Sequence, residues 1–112
     1  MEKIRIAVRK FDPFETTLQK LWDAFCLENN LSIEAEMIPL ELHDLYEQTL
    51  ANNGLKNGDW DIAHINTDWI FDAVNAEAVE NLSPLINQNP PQDFPEGWHK
   101  SLLHLQEINN QV

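Results

Sequence analysis

The chain opens on an alternating stretch, "KIRIAVR" at 3 to 9, in which Ile4, Ile6 and Val8 share one face and Lys3, Arg5 and Arg9 the other. A period of two predicts a first strand with one buried face. "FDPFE" then reads as a helix start. Asp12 can accept a bond from a free first-turn amide, Pro13 suits the first helical position, and Glu15 completes a capping-box spacing. From Phe14 onward Leu18, Leu21, Trp22 and Phe25 recur at helical intervals, until "ENN" at 28 to 30 offers residues that tolerate a left-handed turn.

"LSIEAEMIPL" alternates Ile33, Ala35 and Met37 against Ser32, Glu34 and Glu36, and Pro39, with no N–H to donate, is expected to end this second strand. Leu42, Leu45, Tyr46, Thr49 and Leu50 form a second helical stripe, and "NNGLKNGD" is dense in turn residues. "DIAHI" at 61 to 65 predicts a short third strand. A helix from about 68 to 75 should carry Ile70, Ala73 and Val74 inward. Residues 83 to 97 read as an irregular, proline-rich connection, and residues 98 to 108 as a last helix through Trp98, Leu102, Leu105 and Ile108.

Strand and helix alternating in this way predict an α/β fold: a parallel three-stranded core in the order 2-1-3, right-handed crossovers, and flanking helices. A chain of 112 residues has room for one small domain or part of a larger one.

Charge narrows the partners. Seven Lys and Arg against 19 Asp and Glu give a formal net charge of -12, which disfavours nucleic acid and anionic membrane surfaces. No apolar run approaches the roughly 20 residues of a spanning helix. Cys26 is the one cysteine and falls on the apolar side of the first helix, where a buried, inert thiol is expected. The start of the chain lacks the apolar centre of a secretory signal, so either the location is cytoplasmic or a signal has been removed.

In an open parallel sheet, ligands bind beyond the carboxyl ends of the strands, where successive connections diverge to opposite faces. With order 2-1-3 that crevice lies between strands one and three. Its lining would come from Arg9, Lys10, Phe11 and Asp12 on one side and from Asn66, Thr67, Asp68 and Trp69 on the other. Hydrogen-bonding groups beside flat rings suit a sugar. The same residues also fit plain structural roles, with Asp12 and Asp68 as helix caps and Phe11 and Trp69 packed on nearby loops.

Other chemistry finds little support. His43, His64, His99 and His104 lack the i, i+4 pairing of a zinc helix, so no metal or cofactor is expected. Asp59 and Asp61 flank Trp60 on a turn that they more simply solvate. Glycine-rich phosphate loops and a Gly-x-Ser-x-Gly nucleophile turn are lacking, and "AVRKFD" and "HINTD" hold one acid each where a receiver domain needs more. The expectation is a binding protein rather than an enzyme.

Three blocks carry a family resemblance: "KIRIAV", "LQKLWDAFCLENNLSIEAEMI" and "GDWDIAHINTDWIFDAVNAEAVENLSPLI". In order and spacing they resemble the amino-terminal lobe of extracellular solute-binding proteins of the carbohydrate-binding, maltose-binding-like group. Ala78 departs from that pattern, standing where many relatives carry glycine.

The resemblance implies a periplasmic-binding-protein-like lobe over residues 1 to 112, truncated relative to two-lobed relatives. It also implies non-covalent carbohydrate binding, membrane subunits of an ABC importer as partners of the full-length protein, and a periplasmic or extracellular location. Lys10, Phe11 and Asp12 take the place of the family's first cleft loop, and Asp68 with Trp69 that of the second. A lobe without its later strands would expose open edges and apolar helix faces, so a homo-oligomer is expected. The competing expectation is a small intracellular interaction or regulatory module acting by oligomerisation.

Overall fold

The computed structural model describes residues 2–108. Its backbone forms β1 (Glu2–Arg9), α1 (Asp12–Glu28), β2 (Ile33–Leu40), α2 (Leu42–Tyr46), β3 (Ile62–Ala63), α3 (Ile70–Asn75), α4 (Ser83–Gln88) and α5 (Lys100–His104). The strands make one parallel sheet in the order β2-β1-β3, as the alternation predicts. None of the described helices is long and apolar enough to cross a membrane. The chain divides into two compact units, Met1–Ile65 and Asn66–Val112.

In the first unit, the alternation of β1 sorts its side chains onto two faces. Ile6 and Val8 pack with Ala35 of β2, and Ile4, Met37, Leu18 and Trp22 close round them, so α1 covers this face. Trp22 is fixed there by its indole N–H, which donates to the Ile33 carbonyl at 3.0 Å. Ala7, fully buried, points to the opposite face, where α2 meets β1. Right-handed crossovers either side of the central strand require this division.

At the other end of that second face the sheet is polar. Lys3 Nζ lies 2.7 Å from Glu36 on β2, and Arg5 Nε lies 3.8 Å from the same carboxylate. Donation by the Lys3 ammonium holds the Glu36 carboxyl below its usual range and raises the ammonium in turn. Arg5 also lays its guanidinium 4.5 Å above the buried Trp60 ring.

Several expectations are corrected. Pro39 does not end β2, which continues to Leu40. The Leu40 carbonyl accepts the Lys10 N–H, so the polar groups of Leu40 face β1 and the proline nitrogen falls on the free edge, where no donor is required. Asp12 does not cap α1. Phe11 holds the cap position in extended conformation, and the Phe14 N–H closes onto the Phe11 carbonyl, which draws Asp12 into the first turn. There its charge still complements the positive helix end.

The expected end of α1 is found. Asn30 adopts φ 54°, and Leu31 N–H donates to Cys26 across 2.8 Å in a Schellman closure. Cys26 is half-buried, with Sγ 3.7 Å from the Ile33 carbonyl. The second helical stripe buries Leu45, Thr49 and Leu50, but the helix widens into a π turn over Glu47–Ala51, with Thr49 Oγ1 donating to the Leu45 carbonyl.

The third strand is two residues rather than five, because side chains take over its ladder at both ends. Asp61 Oδ2 accepts the Arg5 N–H at 2.8 Å, and His64 Nδ1 accepts the Arg9 N–H at 3.1 Å. Asp61 is thus more than a solvated turn residue.

In the second unit, a 3-10 turn over Thr67–Trp69 leads into α3, on which Ala73 is fully buried. Val74, expected to face inward, is exposed, because a helix of six residues sustains only a narrow buried face. The left-handed residue that ends α3 is Glu77, at φ 55°, with the Ala78 N–H reaching back to the Ala73 carbonyl. Ala78 itself needs no glycine.

The stretch 83 to 97 is not wholly irregular, since Ser83–Gln88 is helical. Asn81 Oδ1 accepts the Ser83 N–H, and Pro84 stands at the first positions, where a proline starts a helix instead of breaking one. The last helix is shorter than 98 to 108. The Trp98 N–H is committed to the Pro95 carbonyl in the preceding turn, and α5 runs only over Lys100–His104.

Candidate functional site

The carboxyl end of β1 is the place where the first unit gathers chemistry. Arg9 ends the strand, Lys10 and Phe11 form the connection, and Asp12 opens α1. One helical turn separates Phe11 from Phe14, which brings their rings to 5.0 Å, edge to face at 68°. Phe14 in turn meets the His64 imidazole at 5.5 Å and 74°. Three flat rings therefore follow one another along this edge of the sheet, and Phe11 remains 56% exposed at its outer end.

His64 is oriented by the backbone. An amide can only donate, so Nδ1, which receives the Arg9 N–H, carries the lone pair and the ring proton sits on Nε2. Burial works in the same direction, pushing the imidazole below its ordinary 6.5. Both effects favour a neutral ring. Lys10 reaches Glu41 at 3.7 Å across an exposed gap, a pairing that contributes at most about 1 kcal/mol and leaves the ammonium accessible.

Lys10, Phe11 and Asp12 are contiguous and exposed. Asn66, Thr67, Asp68 and Trp69 belong to the second unit. Asn66 precedes its 3-10 turn in extended conformation, with its carbonyl accepting the Trp69 N–H at 2.9 Å. Thr67 and Asp68 are exposed, and Asn66 and Trp69 are half-buried. Asp68 lies inside the turn, and no side-chain cap bond is made at its start.

Phe14 and His64 are the residues that the sequence reading missed at this edge. The helical period places Phe14 in the core stripe of α1, and the alternation places His64 in a longer third strand. The signal is present: Phe11 and Phe14 are three positions apart across a helix start, which brings two rings to one face. Among the described residues, no group of three His, Cys, Asp or Glu side chains could hold a metal ion. No protein-family model, curated protein or solved structure matches this chain.

Proposed function

We propose that this chain is a lobe of a two-lobed solute-binding protein that takes a carbohydrate by non-covalent contact, in the manner of the maltose-binding-like importers it resembles. The observation that carries this reading is the aromatic edge at the carboxyl end of the central strand. Phe11 and Phe14 offer apolar faces on which a pyranose ring can stack, and Lys10 and Asp12 offer a donor and an acceptor for its hydroxyls. Parallel sheets of order 2-1-3 place ligand sites at this end of the strands. A single lobe contributes only part of such a cleft, so weak binding is expected of the chain alone.

The test is an amide-resolved NMR titration with glucose, maltose and an uncharged polyol as control. Saccharide-dependent shifts at Phe11, Phe14 and His64, and none with the polyol, support the reading. Shifts absent from these residues at high saccharide concentration overturn it.

A second reading, a module that works by self-association, is supported by α1. This helix has no fully buried residue, and it exposes Leu21, Phe25 and Leu27. Light scattering across a concentration series tests it: a stable monomer removes the second reading, and with it the oligomer expected of an isolated lobe, whereas the saccharide titration decides carbohydrate binding.

A further inference from the structure

A cleft of about 760 Å3 opens within the second unit, in the range of small-molecule sites. Its walls are mainly apolar, and one corner is aromatic. Phe94 and Trp98 stand edge to face, ring centres 5.3 Å apart at 70°, and Trp98 is 47% exposed, so its ring is accessible. Glu96 and Glu107 line the same cleft. We propose that this cleft binds a small organic cation, an alkylammonium with an apolar body.

The charges present select that class. An indole face attracts a cation through its quadrupole, and the attraction grows where water is partly excluded. Glu96 adds an exposed carboxylate with no ion pair among the described residues, and the Glu107 carboxylate lies 3.7 Å from the His104 imidazole. Lys100 is the opposing charge on the wall, so the lining holds two carboxylates against one ammonium when the imidazole is neutral. The net charge of -12 over the chain raises the local concentration of cations and lowers that of anions. Lys100 is the one fixed positive charge that a carboxylate or phosphate ligand would meet on this lining. None of these residues belongs to the β1 edge, so the inference stands apart from the carbohydrate reading.

The full chain is titrated with choline, and in parallel with dimethylbutanol, its uncharged carbon isostere, while the Trp98 indole N–H and the Lys100 and Ser101 amides are followed by NMR. Choline should shift these signals saturably and bind at least about tenfold more tightly than the isostere, a difference of about 1.4 kcal/mol. Added salt should weaken choline alone. Glu96→Gln, on an exposed side chain that does not threaten the fold, should weaken choline severalfold. Lys100→Gln should tighten it, an effect that mere loss of structure would not produce. Equal binding of the isostere, shifts confined to other residues, or no saturable shift with choline would overturn the proposal.

Discussion

The Arg9 amide donates to His64 Nδ1 across 3.1 Å, so a side chain completes the hydrogen-bond ladder where the third strand stops. The same imidazole is the inner ring of the aromatic edge, 5.5 Å from Phe14. Protonation of Nδ1 would abolish the acceptor. The end of the sheet and the candidate ligand edge are therefore coupled to one titration.

Stability should follow that titration in one direction. The folded imidazole is held below its ordinary 6.5, so as pH falls the unfolded chain takes up a proton first. Wherever the unfolded state binds more protons, stability rises with pH. The contribution of His64 is thus complete above 6.5 and is lost as pH falls from there to the lower folded value. Urea unfolding at about pH 7.5 and about pH 5.5 should show a larger acid loss for the wild type than for His64→Gln. Equal losses would refute the assignment.

Gly54 is buried beside the π turn, and its two neighbours leave no room for a methyl group. A Cβ there would collide with the Gln48 carbonyl oxygen and stand 3.0 Å from Trp60 Cδ1. Backbone cannot yield cheaply, so Gly54→Ala should destabilise by about 2–3 kcal/mol. Gly58→Ala meets nothing within 4 Å, but holds φ +84°, and should lose only about 1 kcal/mol. Thermal unfolding of both variants ranks the two effects, and a reversed order would contradict the packing at Gly54.

Asp61 fastens the start of the third strand. Its carboxylate accepts the Arg5 N–H at 2.8 Å while its own N–H donates to the Arg5 carbonyl at 2.9 Å. Asp61→Ala should lose about 1 kcal/mol, and Asp61→Asn, which keeps an acceptor, clearly less. Hydrogen exchange at Arg5 should quicken in the alanine variant.

Glu77 ends α3 at φ 55°, a conformation that costs a side chain with a Cβ roughly 1–2 kcal/mol. Glu77→Gly should therefore raise stability by about 0.5–1 kcal/mol, part of the strain relief being offset by the freer unfolded chain. A fall in the melting temperature would show that the Glu77 side chain makes a compensating contact.

Phe11→Ala separates binding from folding. The ring is more than half exposed, so its removal should cost less than about 1 kcal/mol, yet it should erase saccharide-dependent shifts at Phe14 and His64. Retained shifts would place any saccharide elsewhere.

Local pattern alone determined the first strand, the first helix with its stop near Asn30, and the strand–helix alternation from which the parallel 2-1-3 order is the expected arrangement. These depend on a period, a cap and the handedness of crossovers, all properties of neighbouring residues. Tertiary structure decided what needs a distant partner. Pro39 stays in a strand because its nitrogen lies on the free edge, beyond the reach of β1. The third strand shrinks because Asp61 and His64 side chains serve where backbone was expected. Phe14 and His64 join one edge although 50 positions separate them in the chain, and no periodicity encodes a contact of that range. The short helices after Asn66 were least legible, since their limits depend on turn bonds such as Trp98 to Pro95 and not on a repeating apolar face.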